Sequence, residues 1–503
     1  MSCRRRLLAL LVAVTLVLPS LAQQPQPDAQ TESRYSIQRA VPLNRFAASR
    51  HSLTGRREFY SMPTGLGDDY FDGTSDLGRV ERHLKIAREL GARYLRFGIS
   101  WHAVEKSPRR YDWCFWDELV ELANYYGIQL LPYVAYTPEW AASEQDHFWS
   151  RPPRDVHWFG EFMFQVVSRY RGDIHSWEIW NEPDLPEYWR GTAGQFADLV
   201  IEGTKQIRRA DPKAVVVLGG FSGGPDKLFT TVLEQYHLDR YVDVVALHGY
   251  PESWHEPRTE DFYGQNITRM SQLAGPSGVD VWLNEFGYAD YRFDQRHASS
   301  WGTNIYYDYE HTPQYAATEL FKDHVIALAS GMVSLTSWYR IDDFPDTEDR
   351  FLGDGVNRHL GLVDAHGRPK PAYFAFKFFN QTFNEPARLL SHVTFPVHSQ
   401  AVLDIFEKKD GELVLVGWLR SSHWNEVQKH TGNEHDRRKE TVSVDLPCGR
   451  GSQVQFYDPK GERVANAAQF ADGTLSNVVL TGEHLFIAAV RCVKDKNLAA
   501  ASN

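Results

Sequence analysis

The sequence predicts an α/β fold: a parallel (β/α)8 TIM barrel followed by a C-terminal all-β sandwich. Short apolar runs alternate eight times with helical stretches between residues 56 and 385. Glycines close several of those stretches, at Gly91, Gly127 and Gly331. From about residue 388 the apolar period shortens to two and helical patterning stops. A doubly wound open sheet would alternate similarly. It usually has fewer units, and no Gly-x-Gly-x-x-Gly loop follows an early strand here.

In chain order, residues 1–22 read as a cleavable signal peptide. Arg4-Arg5-Arg6 precedes an apolar run from Leu7 to Leu18, and Pro19-Ser20-Leu21-Ala22 supplies small residues for cleavage. The run is too short to span a bilayer. Residues 23–55 read as a polar Pro/Gln-rich linker with one or two strands that join the side domain. The barrel occupies 56–385. Its first βα turn lies near Glu58 to Gly67, and its strands run over Arg93–Gly98, Gln129–Tyr133, a fourth ending at Glu182, Ala214–Leu218, Val242–Leu247, Val281–Glu285 and Val333–Arg340. Helices follow at Leu77–Leu90, Phe115–Tyr126, Phe159–Tyr170, Gly194–Ala210, Asp226–Leu238, Tyr263–Ala274, Gln314–Ser330 and Pro371–Phe383. The sandwich occupies 386–495, with strands at Ala401–Phe406, Glu412–Leu419, Thr441–Leu446, Gln453–Tyr457 and Leu485–Val490. Residues 496–503 are a tail.

Composition narrows the function classes. The formal charge is −11, and removal of the leader's three arginines and no acid takes it to −14. That sign argues against nucleic acid or an anionic membrane as partner. No stretch after the leader approaches transmembrane length, so the mature chain is expected to be secreted or periplasmic. Fifteen Trp and 24 Tyr are mostly core by base rate, but aromatic faces also pack on pyranose rings. Of four cysteines, Cys3 leaves with the leader, Cys448 and Cys492 are placed to pair, and Cys114 is left over and expected to be buried. No CxxC, His-x-His or His-Glu-x-x-His pattern is present, and neither metal nor cofactor is expected.

The chemistry-bearing residues sit at strand ends, where barrel enzymes place their sites. Glu182 ends Trp180-Asn181-Glu182-Pro183, and Glu285 lies in Leu283-Asn284-Glu285-Phe286-Gly287. They are 103 residues apart. At roughly 30 residues per βα unit, they should be about three strands apart, facing across the mouth. Two carboxyl groups so placed can split a glycosidic bond, one as acid and the other as nucleophile. Arg96, His248, Tyr250 and Trp338 fall at the ends of strands two, six and eight. A glutamate after a strand is ordinarily only solvated; joint placement favours a site.

On these residues the chain resembles the retaining glycoside hydrolases of clan A, over about 58–385. It looks most similar to glycoside hydrolase family 39, with family 5 next. An asparagine often follows Asn-Glu-Pro in family 39, where this chain has Asp184. The resemblance implies that Glu182 is the acid/base and Glu285 the nucleophile. Arg96 and Tyr250 would stabilise the Glu285 charge, and Asn181 would meet the sugar 2-hydroxyl. Trp338 would be a platform under the sugar, and His248 a sugar contact or a structural histidine. The substrate would be an oligo- or polysaccharide with β-glycosidic bonds. Arg340, Asp342 and Asp343 could read a hydroxyl or a charged group, or form a salt-bridge cluster. The aromatic segment Tyr288–Thr312 is expected to wall the cleft, with Trp301 against the glycan. The alternative is a carbohydrate-binding barrel without turnover, which would bind sugar and hydrolyse no glycan.

Overall fold

Helix ends in this chain are set by local chemistry. Asp76 accepts the Gly78 and Arg79 amides and starts α1 (Leu77–Leu90), and Gly91 ends it in a left-handed turn. Helix α2 (Cys114–Tyr126) ends likewise at Gly127. Asp155 caps α3 (Val156–Tyr170), and a Thr192/Gln195 capping box opens α4 (Ala193–Ala210). Asp226 caps α5 (Lys227–Glu234). Helix α6 spans Thr259–Ala274, Thr312 caps α7 (Pro313–Ser330), and α8 spans Pro371–Thr382. Helix α5 stops short of the expected Leu238 because His237 adopts a left-handed backbone before a 3-10 turn at Leu238–Arg240.

The computed structural model describes residues 58–70, 73, 75–251, 259–290, 312–344, 358–395, 398–420 and 436–493. Its parallel strands are β1 (Thr64–Gly67), β2 (Tyr94–Ser100), β3 (Gln129–Ala135), β4 (Ser176–Ile179), β5 (Val215–Ser222), β6 (Val244–Gly249), β7 (Asp280–Phe286) and β8 (Val333–Tyr339). They close in sequence order, β8 pairing with β1, into a (β/α)8 barrel. A four-residue helix at Trp101–Val104 and a small hairpin (Glu105–Ser107 with Arg110–Tyr111) follow β2, and neither was expected. The lower barrel interior is an apolar plug of Tyr94, Leu131, Val217, Val244, Ala246, Trp282 and Leu335. A larger core fills the space between strands and helices. Among the described residues no helix is long and apolar enough to cross a membrane.

Eight antiparallel strands follow: β9 (Ala387–Phe395), β10 (His398–Lys408), β11 (Glu412–Leu419), β12 (Lys439–Asp445), β13 (Gly449–Tyr457), β14 (Gln469–Ala471), β15 (Thr474–Thr481) and β16 (Phe486–Val493). They form a five-stranded sheet, β9-β10-β11-β16-β13, and a three-stranded sheet, β12-β15-β14. Strands β9, β14 and β15 were not read from sequence. β9 is an edge strand whose side chains are mostly half-exposed, so its apolar alternation is diluted. A disulfide joins Cys448 to Cys492 across β13 and β16, 44 residues apart. Cys114 is half-buried rather than buried, and no described cysteine is a free thiol. The sandwich packs on the barrel through Phe383 on Phe406 and Phe378 on Tyr457, with ring centroids 5.3 and 5.2 Å apart. The Tyr60 hydroxyl reaches the Leu328 carbonyl at 2.6 Å and secures the barrel's entrance strand to α7. The leader, residues 35–55 and Trp301 lie outside the described residues, as does most of the Tyr288–Thr312 segment.

Candidate active site

Strand parity brings the site together. On β2, Tyr94 lies in the interior plug and Arg96 is the next inward residue. On β4, Trp177 and Ile179 join the outer core, so Glu178 faces in. On β6, Val244 and Ala246 face in, and His248 follows them. β7 departs from simple alternation. Leu247 and His248 on β6 pair with Leu283 and Glu285, so β7 carries one extra residue there. The step recurs against β8, where Thr336 and Trp338 pair with Leu283 and Phe286. This bulge lets adjacent residues, Asn284 and Glu285, both reach the site.

β4 ends at Ile179, not at Glu182 as expected. Beyond it Trp180 and Glu182 take left-handed backbones, with φ of 73° and 43°. Such conformations cost about 1–3 kcal/mol each. Packing holds them. Trp180 is fully buried, donates to the Tyr188 carbonyl at 2.9 Å, and meets Trp189 edge-on at 5.0 Å. The Glu182 amide donates to the Gly220 carbonyl at 2.9 Å. This approach needs glycine: a Cβ on Gly219 would lie 2.6 Å from the Ile179 carbonyl oxygen, and one on Gly220 1.8 Å from His248 Nε2.

Arg96 joins the site's carboxylates. It donates to both Glu178 oxygens at 2.9 Å, to Glu285 Oε2 at 2.5 Å and to Asn181 Oδ1 at 2.8 Å. Its guanidinium lies 4.7 Å from the Tyr133 ring centre. An arginine only donates, so its bond to Asn181 Oδ1 leaves the amide nitrogen to meet a substrate. The Tyr250 hydroxyl donates to Glu285 Oε1 at 2.7 Å. His248 Nδ1 lies 2.9 Å from Glu182 Oε1 and 3.6 Å from Glu285 Oε1. Glu178 was missed in the sequence reading. It is buried and also accepts the Gly220 amide and the Asn284 side chain, both at 2.9 Å. An acidic residue at an inward position between Trp177 and Ile179 was the available signal.

The two glutamates titrate in opposite directions. Burial raises the Glu182 pKa, and the Glu285 charge adds to this against His248 and Arg96. Burial also pulls on Glu285, but His248, Arg96 and the Tyr250 hydroxyl outweigh it and hold the carboxyl below its ordinary value. Asp184, which accepts the Ser222 amide at 3.1 Å, is pushed up to about 8 by burial and by Glu182.

One expected placement is corrected, and of the two roles left open for His248 the structural one fits its burial. Trp338 is 1% exposed and packs on Phe286 and His324 in the outer core. Leu335 belongs to the plug, so Ser337 and Tyr339 face in and Trp338 faces out. His248 has no exposed surface and meets Glu182 rather than lying in a substrate's path. Arg340 is also fully buried and pairs with Asp68 at 2.8 Å and Asp342 at 3.4 Å, in a salt-bridge cluster. Among the described residues three groups have metal-ligand spacing: Asp68–His83–Asp342, Glu182–His248–Glu285 and Asp290–Asp343–His359. A cationic side chain already contacts each: Arg79 and Arg340, Arg96, and Lys370.

A closed parallel barrel with two buried glutamates brought together at its mouth suits glycosidase chemistry. A model of glycosyl hydrolases family 39 matches residues 75–456, and the chain belongs to that family. It is 24% identical over 373 residues to a beta-xylosidase of Geobacillus stearothermophilus, covering 67% of this chain and 69% of that protein. The fold is shared with a family 39 glycoside hydrolase from Bacteroides cellulosilyticus WH2, at TM-score 0.63 and 15% identity, covering 86% of this chain and 81% of that one. A monomeric beta-xylosidase from Caulobacter crescentus CB15 superposes at TM-score 0.58 and 16% identity, covering 87% and 98%.

Proposed function

We propose that the chain is an exported, retaining β-glycosidase of β-xylosidase type, with Glu182 as acid/base and Glu285 as nucleophile. One observation carries the mechanism. An oxygen of Glu182, an oxygen of Glu285 and a ring nitrogen of His248 all lie within 4.8 Å of one another. Retaining enzymes hold their carboxyl groups about 5–5.5 Å apart, whereas inverting ones need roughly 6.5–9.5 Å to admit a water.

The roles follow from charge. Glu182, its pKa raised, protonates the leaving oxygen while ionised Glu285 attacks the anomeric carbon. The covalent intermediate removes the Glu285 charge that helped raise the Glu182 pKa. Glu182, now a carboxylate, takes a proton from the incoming water. The Asn181 amide nitrogen donates to the 2-hydroxyl, a contact that strengthens in the transition state.

The xyloside reading is supported by the beta-xylosidase relatives, at 24% and 22% identity. Export is supported by the arginine triplet and apolar run at residues 4–18, and by the Cys448–Cys492 disulfide, a bond favoured in oxidising compartments. NMR of the first sugar released from an aryl β-xyloside tests the mechanism: retention gives the β-anomer first, and initial α-anomer overturns it. The mature N-terminus after secretion should begin near Gln23.

A further inference from the structure

Beyond the paired glutamates, Asp69 is a carboxylate at the mouth to which the mechanism gives no task. Asp69 follows β1 directly. Its amide donates to Asp68 Oδ1 at 2.8 Å, and the Asp68 amide donates to the Arg96 carbonyl at 3.1 Å, so the chain here is anchored beside β2. Asp68 is buried and turns toward Arg79 and Arg340. Asp69 is partly exposed and turns to the other side, where the Tyr339 hydroxyl donates to its Oδ2. Tyr339 faces in and packs edge-on against Tyr250, ring centres 6.4 Å apart, and Tyr250 holds Glu285. Asp69 thus stands one pair of tyrosines from the nucleophile.

Its field reaches the cavity. The Asp69 charge acts on Tyr133, Tyr136 and Tyr188, and the last two also feel Glu182. Asp69 Oδ1 has no partner among the described residues, so a carboxylate oxygen there is available to a donor from outside the protein. Burial raises the Asp69 pKa against the Arg340 charge.

Among the described residues three cations near the mouth are ion-paired, although Arg340 Nε and Nη1 make no hydrogen bond. Arg96 is held by Glu178 and Glu285, Arg340 by Asp68 and Asp342, and Lys370 by Asp290 and Asp343. The Phe344 ring also covers Arg340, its centre 3.5 Å from the guanidinium carbon.

We propose that Asp69, held by Tyr339, is a specificity-determining residue that accepts a hydrogen bond from a 3- or 4-hydroxyl of the non-reducing sugar. The 2-hydroxyl is assigned to Asn181. The inference rests on the glycosidase reading above. Asp69 sorts substrates while Glu182 and Glu285 carry out the reaction.

The test is a cycle of substrate and protein changes. Wild type, Asp69→Ala and Asp69→Asn are assayed on an aryl β-xyloside and on its 3-deoxy and 4-deoxy analogues. Wild type should lose about 10- to 100-fold in kcat/KM on one analogue, the range for a hydrogen bond to a charged group. In Asp69→Ala that penalty should shrink to within about threefold, and Asp69→Asn, which keeps the side chain's volume if alanine fails to fold, should lie between. Unchanged penalties on both analogues in the variants overturn the role. If wild type cleaves no aryl β-glycoside at all, the broader functional reading falls and takes this one with it. A cleaved xyloside with unaltered ratios removes Asp69 alone.

Discussion

The two ends of the barrel interior are built on the same inward positions of the same strands and share almost no chemistry. At the bottom, β2, β6 and β7 contribute Tyr94, Val244, Ala246 and Trp282 to an apolar plug. Two residues further along, β2 and β6 contribute Arg96 and His248, and β7 contributes Asn284. Burial is almost complete at both ends. At the bottom it stabilises by removing apolar surface from water. At the top it desolvates charges, which raises the Glu182 pKa and makes each ion pair around Arg96 matter. The comparison teaches that depth along a strand, rather than burial, separates the stabilising layer from the chemical one.

Substitutions can break this comparison from either end. Glu285→Ala should reduce kcat by about 10⁴-fold or more. Azide should restore part of the turnover and release a product of the opposite anomeric configuration. Wild-type rates in this variant would remove Glu285 from the mechanism. Glu182→Ala should lose about 10²- to 10⁴-fold on substrates with poor leaving groups. With an activated aryl leaving group its first step should be spared and its second slowed, which burst kinetics would reveal.

At the bottom, Trp282→Ala should destabilise by about 3–5 kcal/mol, read by denaturant unfolding, while the folded fraction keeps its KM. Trp338→Ala should behave the same way, because its indole lies in the outer core. A tenfold rise in KM with unchanged stability would restore the platform role that its position denies.

The smallest effect is on pH. The proposed mechanism needs Glu285 ionised and Glu182 protonated. The first is held below the ordinary carboxylate value and the second above it. The acid limb of kcat/KM therefore reports Glu285 and the alkaline limb Glu182. Tyr250→Phe removes a donor that favours the Glu285 charge. The Glu285 pKa should rise, and the acid limb should move to higher pH by roughly one unit or less. A limb that stays put, or moves down, contradicts the hydrogen bond's role.

Much of the barrel was legible because its signals are local. Asp76, Gly91, Gly127 and Thr312 mark helix ends by bonds within their own turns, and α1 was read to the residue. Glu285 was legible as a carboxylate at a strand end; Glu182, expected at one too, lies three residues beyond the end of β4. Tyr250 lies against Glu285, where its place after strand six suggested. Glu178 was within reach of a parity argument, as was Trp338 once Leu335 is known to face in. What hid them is that parity needs one strand member whose face is already known, and that knowledge comes from neighbours distant in sequence.

The sequence by itself determined the order of eight βα units, the change to antiparallel strands, and the strand ends that carry acids. Periodicity and capping are properties of a few consecutive residues. Only the tertiary structure decided the bulge that re-aims Glu285 on β7, the left-handed turn that delivers Glu182, and the Arg96 bridge between Glu178 and Glu285. Each depends on register or contact between segments many residues apart, and the energy that selects it comes from packing and charge pairing that no single segment contains.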